Sequence, residues 1–567
     1  MTTKHLLQLL ARLEESKRRP GTAEVEILRA LVTLSRSHLD DAESLIRLHE
    51  TLLFFRAYPP SARVRRQVDA ILQSFAGRVS KLDEAGGDLS PLDEVEVSGM
   101  AGISVTSNFS YAIVRWLVAT HPGQVAIDWD WFDEDERFGA TMPRFLPLLE
   151  EDAMVEAHVP YHDWLRAAKG RRNDVGWLIE RFDSLPISSK AKAELYDALK
   201  LHMRWRFGFP ASRTGMIRPR RRFYFHRTPL IQRGDVSLVM ELAAPPIPIE
   251  RLSPIAGAKI LDLARGTSAV RYRELHGFTH GDARRVLKAD FGRGTEAFVL
   301  GVPPAHRLPL RAYHAALIFK NGIPVAYFEG LSLFERLESG FNLYYTFRDG
   351  ETAWLFSRVL RLMRQLLGVT VFSIDPYQIG RDNEEGIESG AFWFYRKLGF
   401  RPVRPALLEL TLAEERRMAA QRGYRSPART LRKLADGHML YDVPQAGRGN
   451  AGHEWDRFEV RNIGLAVQRS MAAKYTGDAR AMRADSAAYI ARLLDIDASR
   501  WSEEARHLFE GLALVLAMIP GIGRWSAGEK HLAARIVRAK ARGEEARYLR
   551  LMQTHTRLRE ALVRYGS

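Results

Sequence analysis

The run Gly386-Ile387-Glu388-Ser389-Gly390-Ala391-Phe392-Trp393-Phe394-Tyr395-Arg396-Lys397-Leu398-Gly399-Phe400 constrains the fold more than any other stretch. Ala391, Phe394, Tyr395 and Leu398 recur at the spacing of one helix face. Gly399 follows the last of them as a stop signal. The pattern predicts a short helix over 386–399 that feeds a strand beginning near Phe400. Upstream, Asn321-Gly322 separates two apolar runs, 315–320 and 323–333. Asn-Gly tolerates the positive φ that a two-residue hairpin turn demands, so a hairpin is expected there. Further strands are expected at 295–302, 341–347, 369–374 and 407–412, with helices at 281–288 and 351–367. This mixture defines an α+β fold with a mixed central sheet.

The flanks read differently. At 567 residues the chain exceeds what a single core organises, so several domains are expected. Residues 1–81 carry leucines at helical spacing (Leu6, Leu9, Leu10, Leu13, then Leu28, Leu31, Leu34) and read as a small helical bundle, with a fourth helix over 63–79. A Gly/Asp/Pro-rich linker, 82–100, leads to a mixed α/β region over 101–244. Pro245, Pro246 and Pro248 mark a second linker before a sheet-bearing domain over 260–412. Residues 413–567 turn helical, with candidates at 462–475, 483–494, 502–519, 526–541 and 544–565. The chain has no cysteine, which excludes disulfides, thiolate metal sites and a cysteine nucleophile and fits a cytoplasmic protein. The longest apolar run, 512–519, is far shorter than a bilayer span.

The tail Phe394-Tyr395-x-Lys397-Leu398-Gly399-Phe400 resembles the last characteristic motif of the Gcn5-related N-acetyltransferase (GNAT) superfamily. The order strand, strand, helix, strand ahead of it is the order in that family's core, and the resemblance covers about residues 270–410. It implies a transferase that moves an acyl group from acetyl-CoA or another acyl-CoA to an amine. In such enzymes a loop and helix N-terminus hold the coenzyme A pyrophosphate, and the family pattern there is Arg/Gln-x-x-Gly-x-Gly/Ala. The corresponding residues are Arg348-Asp349-Gly350-Glu351-Thr352-Ala353. Arg348 and Ala353 fit, and Glu351 stands where the family has its first glycine. Gly350 serves instead if the loop is shifted by one residue, which leaves Glu351 in the first helical turn, facing outward.

Tyr395 matches the family's general acid, which protonates the departing thiolate. For the base that deprotonates the amine, Glu329, Glu338, Glu384 and Glu385 are candidates. Glu329 leads them because Tyr327, Phe328 and Leu331 would bury it and raise its pKa. The polar loop 376–383 leaves a strand end, where ligands of open sheets gather. Tyr377, Gln378 and Asn383 are therefore candidate substrate contacts, with Glu388, which stands where the family often has an asparagine.

Other signals point elsewhere. Lys and Arg outnumber Asp and Glu by 84 to 68, a balance that favours polyanionic partners. Arg218, Arg220, Arg221 and Arg222 lie among aromatics, a composition suited to phosphates and stacked bases. Ile519-Pro520-Gly521-Ile522-Gly523 resembles the turn of a helix-hairpin-helix, a DNA-binding motif. Two alternatives to the acyl-CoA reading follow. One is a non-catalytic nucleic-acid-binding or scaffold protein on a degenerate GNAT fold; the other is an aminoacyl-tRNA-dependent transferase. Asp128 and Asp130 read as solvated strand-end acids, and no metal site is expected.

Overall fold

The computed structural model describes residues 3–21, 23–94, 97, 99–132, 134–147, 159–208, 223–271, 273–444 and 454–567. The chain opens with five helices, Thr3–Glu15, Glu24–Arg36, Ala42–Ala57, Ala62–Gln73 and Phe75–Glu84. Asp41 caps the third by accepting from Ser44 N–H, and Ser61 caps the fourth by accepting from Val64 N–H. The helix expected over 63–79 breaks at Ser74. Ala42–Ala57 is buried on nearly every side, because its other face packs on the large sheet. One continuous apolar core therefore joins this bundle to the sheet.

A small antiparallel sheet follows, with β1 (Ser104–Ser107), β2 (Val125–Ile127) and β3 (Met203–Arg206) in the order β1-β3-β2. Asp128, at the end of β2, is buried and paired with Arg204. It is therefore a neutralised structural acid, where a solvated one was expected.

The main sheet has nine strands: β4 (Ile249–Arg251), β5 (Val286–Gly292), β6 (Thr295–Leu300), β7 (Ala312–Lys320), β8 (Ile323–Leu333), β9 (Arg336–Leu343), β10 (Val371–Ile374), β11 (Arg401–Pro402) and β12 (Met439–Asp442). Their order is β11-β12-β10-β9-β8-β7-β6-β5-β4. Every pair is antiparallel except β9 with β10. The α+β expectation holds. The Asn321-Gly322 turn forms as expected, with φ of +47° and +84°. Asn321 also ties the sheet to its surroundings, donating to the carbonyls of Ala57 and Tyr224.

Several local expectations give way. The helix placed at 281–288 is a short turn, and Val286 already starts β5. The strand expected over 341–347 sits earlier, because Tyr345–Phe347 closes into a 3-10 turn after β9. The helix expected over 386–399 divides into Glu384–Glu388 and Ala391–Arg396, since Gly390 adopts φ +66° between them. Gly399 ends the second at φ +105°. The strand expected over 407–412 is part of a helix, Pro405–Ala420. Proline suits its first turn, and its fully buried residues, Thr411 and Glu414, recur at helical spacing.

The C-terminal helices are Val460–Tyr475, Ala479–Leu494, Glu503–Ala517, Ala527–Arg542, Glu545–Gln553 and Thr556–Gly566. His555 interrupts the long helix expected over 544–565 and caps the last one through Leu558 N–H. These helices form a second core that takes in Leu333, Val371 and Leu440 from the sheet. Among the described residues no helix is long and apolar enough to cross a membrane.

Candidate functional site

The parallel ladder between β9 and β10 is short. Its pairs run from Val371 with Arg336 to Ser373 with Glu338, and then it stops. β9 continues to Leu343, still paired with β8 on its other side. Among the described residues, the stretch 339–343 thus has no strand along the side that faced β10. Strand backbone inside a protein needs hydrogen-bond partners, so an edge left open in this way invites an extended ligand.

A cavity of about 380 Å³ lies at this opening. Phe341, Asn342 and Leu343 line it from β9, Thr352 and Ala353 from the helix start, and Phe394 and Tyr395 from the Ala391–Arg396 helix. Tyr395 is held edge-on by Phe356 and Phe400, with ring centroids 5.5 and 5.8 Å away. Burial raises the pKa of its phenol, with no neighbouring charge contributing. The phenol is therefore protonated at neutral pH.

The helix Thr352–Leu367 begins at this cavity, and no side chain caps it. Its first backbone hydrogen bond runs from Leu355 N–H to the Glu351 carbonyl. The amides of residues 352–354 precede that bond and point out of the helix end, where the helix dipole also favours an anion. Glu351, expected to face outward, faces inward and is completely buried. Its carboxylate accepts from Lys320 Nζ at 2.8 Å, from Arg293, and from Ile231 N–H at 3.2 Å. Burial would raise its pKa, but Lys320 and Arg293 outweigh burial and hold it at about 2. Burial in turn lowers Lys320 to about 8, against the pull of Glu351. Tyr58, Tyr224 and Trp354 surround the ammonium, with ring centroids 5.0, 5.7 and 5.4 Å from Nζ. The Glu351 carboxylate is thus neutralised in the interior and does not stand over the open helix end. Gly350 is required here because a Cβ would lie 2.6 Å from the Tyr58 hydroxyl.

Of the residues singled out from sequence, Arg348, Gly350, Thr352, Ala353, Gln378, Asn383, Glu385 and Tyr395 meet at this one cavity. Arg348 pairs with Glu385 at its mouth. Glu351 stands behind the wall. Glu329 is half-buried on β8, pairs in register with Gly340, and accepts from the Tyr313 hydroxyl; it does not line the cavity. Glu388 is exposed and also lies off the wall. Tyr377 is exposed and lines a second cavity. Glu384 pairs with Arg432.

The second cavity, about 530 Å³, lies over the paired part of β9 and β10. Glu338, the other base candidate on the sheet, faces it together with Asp375 and His438. Burial and the Arg336 charge lower the pKa of His438. Sequence reasoning missed this histidine because it missed β12, a four-residue strand whose Met439-Leu440-Tyr441-Asp442 has no alternation.

Arg218, Arg220, Arg221 and Arg222 lie outside the described residues. Pro520–Gly523 falls in the turn between the helices Glu503–Ala517 and Ala527–Arg542, with Gly521 at φ +71°. Ser526 and Glu529 form a capping box on the second of these helices, which places a carboxylate at its N-terminus. Neither a protein-family model, nor a curated protein, nor a solved structure matches this chain.

Proposed function

We propose that this chain is a GNAT-type N-acyltransferase, with an acyl-CoA in the cavity at the open edge of β9. The observation that carries the reading is the ladder that ends at Glu338 and Ser373 while β9 runs on. The pantetheine arm of coenzyme A carries two amides in an extended chain, a match for unpaired strand backbone. Its pyrophosphate meets the uncapped amides of residues 352–354, with Arg348 beside them and Lys320 and Arg293 adding positive charge behind.

Tyr395 lines the same cavity, where its protonated phenol donates to the leaving thiolate. Transfer then runs in one step. The free amine attacks the thioester carbonyl, the carbon–sulfur bond breaks, and the sulfur takes the Tyr395 proton. Glu385 is better placed than Glu329 to accept the amine proton, because it lines the same cavity as Tyr395. Glu329 is already bonded by Tyr313.

Calorimetry with coenzyme A tests the reading. One molecule per chain is expected to bind with a micromolar Kd, and Ala353→Glu, which sets a carboxylate beside the open amides, is expected to weaken binding at least tenfold. Absence of heat at millimolar coenzyme A, or equal binding by the variant, would sink the proposal.

A further inference from the structure

The second cavity carries a separate reading that does not depend on the acyltransferase. Strand register brings three metal-ligating residue types together on one face of the sheet. Glu338 pairs with Ser373, and Ile374 pairs with Met439, so Asp375 and His438 are the next opposed positions. One oxygen from each carboxylate and one imidazole nitrogen all lie within 4.8 Å of one another. All three residues are half-buried and line the 530 Å³ cavity.

Their existing partners leave ligand atoms over. Asp375 uses Oδ1 to accept from Tyr377 N–H at 2.8 Å, and its second oxygen has no bond of this kind among the described residues. Arg311 comes no closer than 3.9 Å to Glu338, beyond hydrogen-bond reach. Arg336 directs Nε to Ser373 Oγ and Nη1 to the Phe458 carbonyl. Nδ1 of His438 is buried and has no hydrogen-bond partner among the described residues. Arg311 and Arg336 lend the two carboxylates positive charge without hydrogen-bonding them, which leaves carboxylate oxygens beside an imidazole nitrogen in ligand reach of one another.

We propose that Glu338, Asp375 and His438 bind one divalent transition-metal ion, Zn2+ or Mn2+, in the second cavity. One nitrogen and two oxygen ligands suit these ions better than Ca2+ or Mg2+, which prefer all-oxygen shells. Three protein ligands leave at least one coordination position open to the cavity.

The test uses the full chain, dialysed against a chelator and titrated calorimetrically with ZnCl2 or MnCl2. One ion per chain is expected to bind with a micromolar or tighter Kd. His438→Ala and Asp375→Asn are expected to weaken binding at least tenfold, and Asp436→Asn, in the same cavity but outside the triad, to leave it unchanged. Wild-type affinity in both triad variants, or no binding by the wild type at millimolar metal, overturns the assignment. Should either variant unfold, Co2+ added to the wild type decides the matter. A visible d–d band that saturates at one equivalent and is displaced by Zn2+ supports the site, and no band overturns it.

Discussion

Two charged clusters lie against the same sheet and behave in opposite ways. Glu351, Lys320 and Arg293 sit at the start of the Thr352–Leu367 helix, the end of β7 and the turn between β5 and β6, with Glu351 and Lys320 fully buried and aromatic rings packed around the ammonium. Glu338, Asp375 and His438 sit on β9, β10 and β12 and face a cavity. In the first cluster each charge is answered from within; in the second, a ring nitrogen is left without a partner. Charges that satisfy one another hold a fold, and charges that do not are poised for a ligand. The closed cluster also shapes the neighbouring cleft. By drawing the Glu351 carboxylate inward it leaves the helix end free of its own acid.

The largest effect is expected from breaking the closed cluster. Glu351→Ala strands Lys320 and Arg293 without their carboxylate, which costs about 3–5 kcal/mol. Urea denaturation measures this, and replacing Lys320 by Met in the same chain is expected to recover most of it. A loss under about 1 kcal/mol would mean that the cluster is not structural.

Acid probes the same carboxylate. Glu351 is held at about 2, below its ordinary 4.5, so its contribution is present above pH 4.5 and is lost as pH falls toward 2. At about 1.4 kcal/mol per unit, the loss approaches about 3 kcal/mol. The stability gap between the wild type and Glu351→Gln should be clearly narrower at pH 3 than at pH 6; an equal gap at both would refute the assignment.

Gly350→Ala comes next. A Cβ would lie 2.6 Å from the Tyr58 hydroxyl and 2.9 Å from the Phe347 carbonyl, so the bundle and the loop must part. A cost of about 1–3 kcal/mol is expected, read as a lowered Tm. The smallest effect sharpens the contrast. Asp375→Asn in the open cluster, without metal, should change stability by less than about 1 kcal/mol. A loss as large as that of Glu351→Ala would make the two clusters alike.

Much of the sheet was legible because its signals are local. Asn321-Gly322 specifies its turn through two positive φ angles, and β8 runs over the 323–333 span read from its apolar pattern. The motif around Tyr395 and the loop from Arg348 to Ala353 were found in sequence, and Phe394, Tyr395, Arg348, Gly350, Thr352 and Ala353 from them reach one cavity. Partners distant in sequence were not legible. Glu351 looks like a first-turn acid, and nothing near it reveals Lys320 or Arg293, which are 31 and 58 residues away. Glu329 looked buried by its neighbours, but strand alternation turned it toward Tyr313. His438 gave no signal, since its role depends on β12 pairing with a strand more than sixty residues earlier. The strand expected at 407–412 failed for a related reason. A short leucine-rich run suits either structure, and Pro405 tips it toward a helix.

The central claim is that the open edge of β9 and the uncapped helix end form one ligand site. Hydrogen–deuterium exchange, followed with and without saturating coenzyme A, tests it most directly. The account predicts slowed exchange at the amides of residues 339–343 that do not bond β8, together with slowed exchange at residues 352–354. Unchanged exchange at both segments while coenzyme A is bound would contradict it.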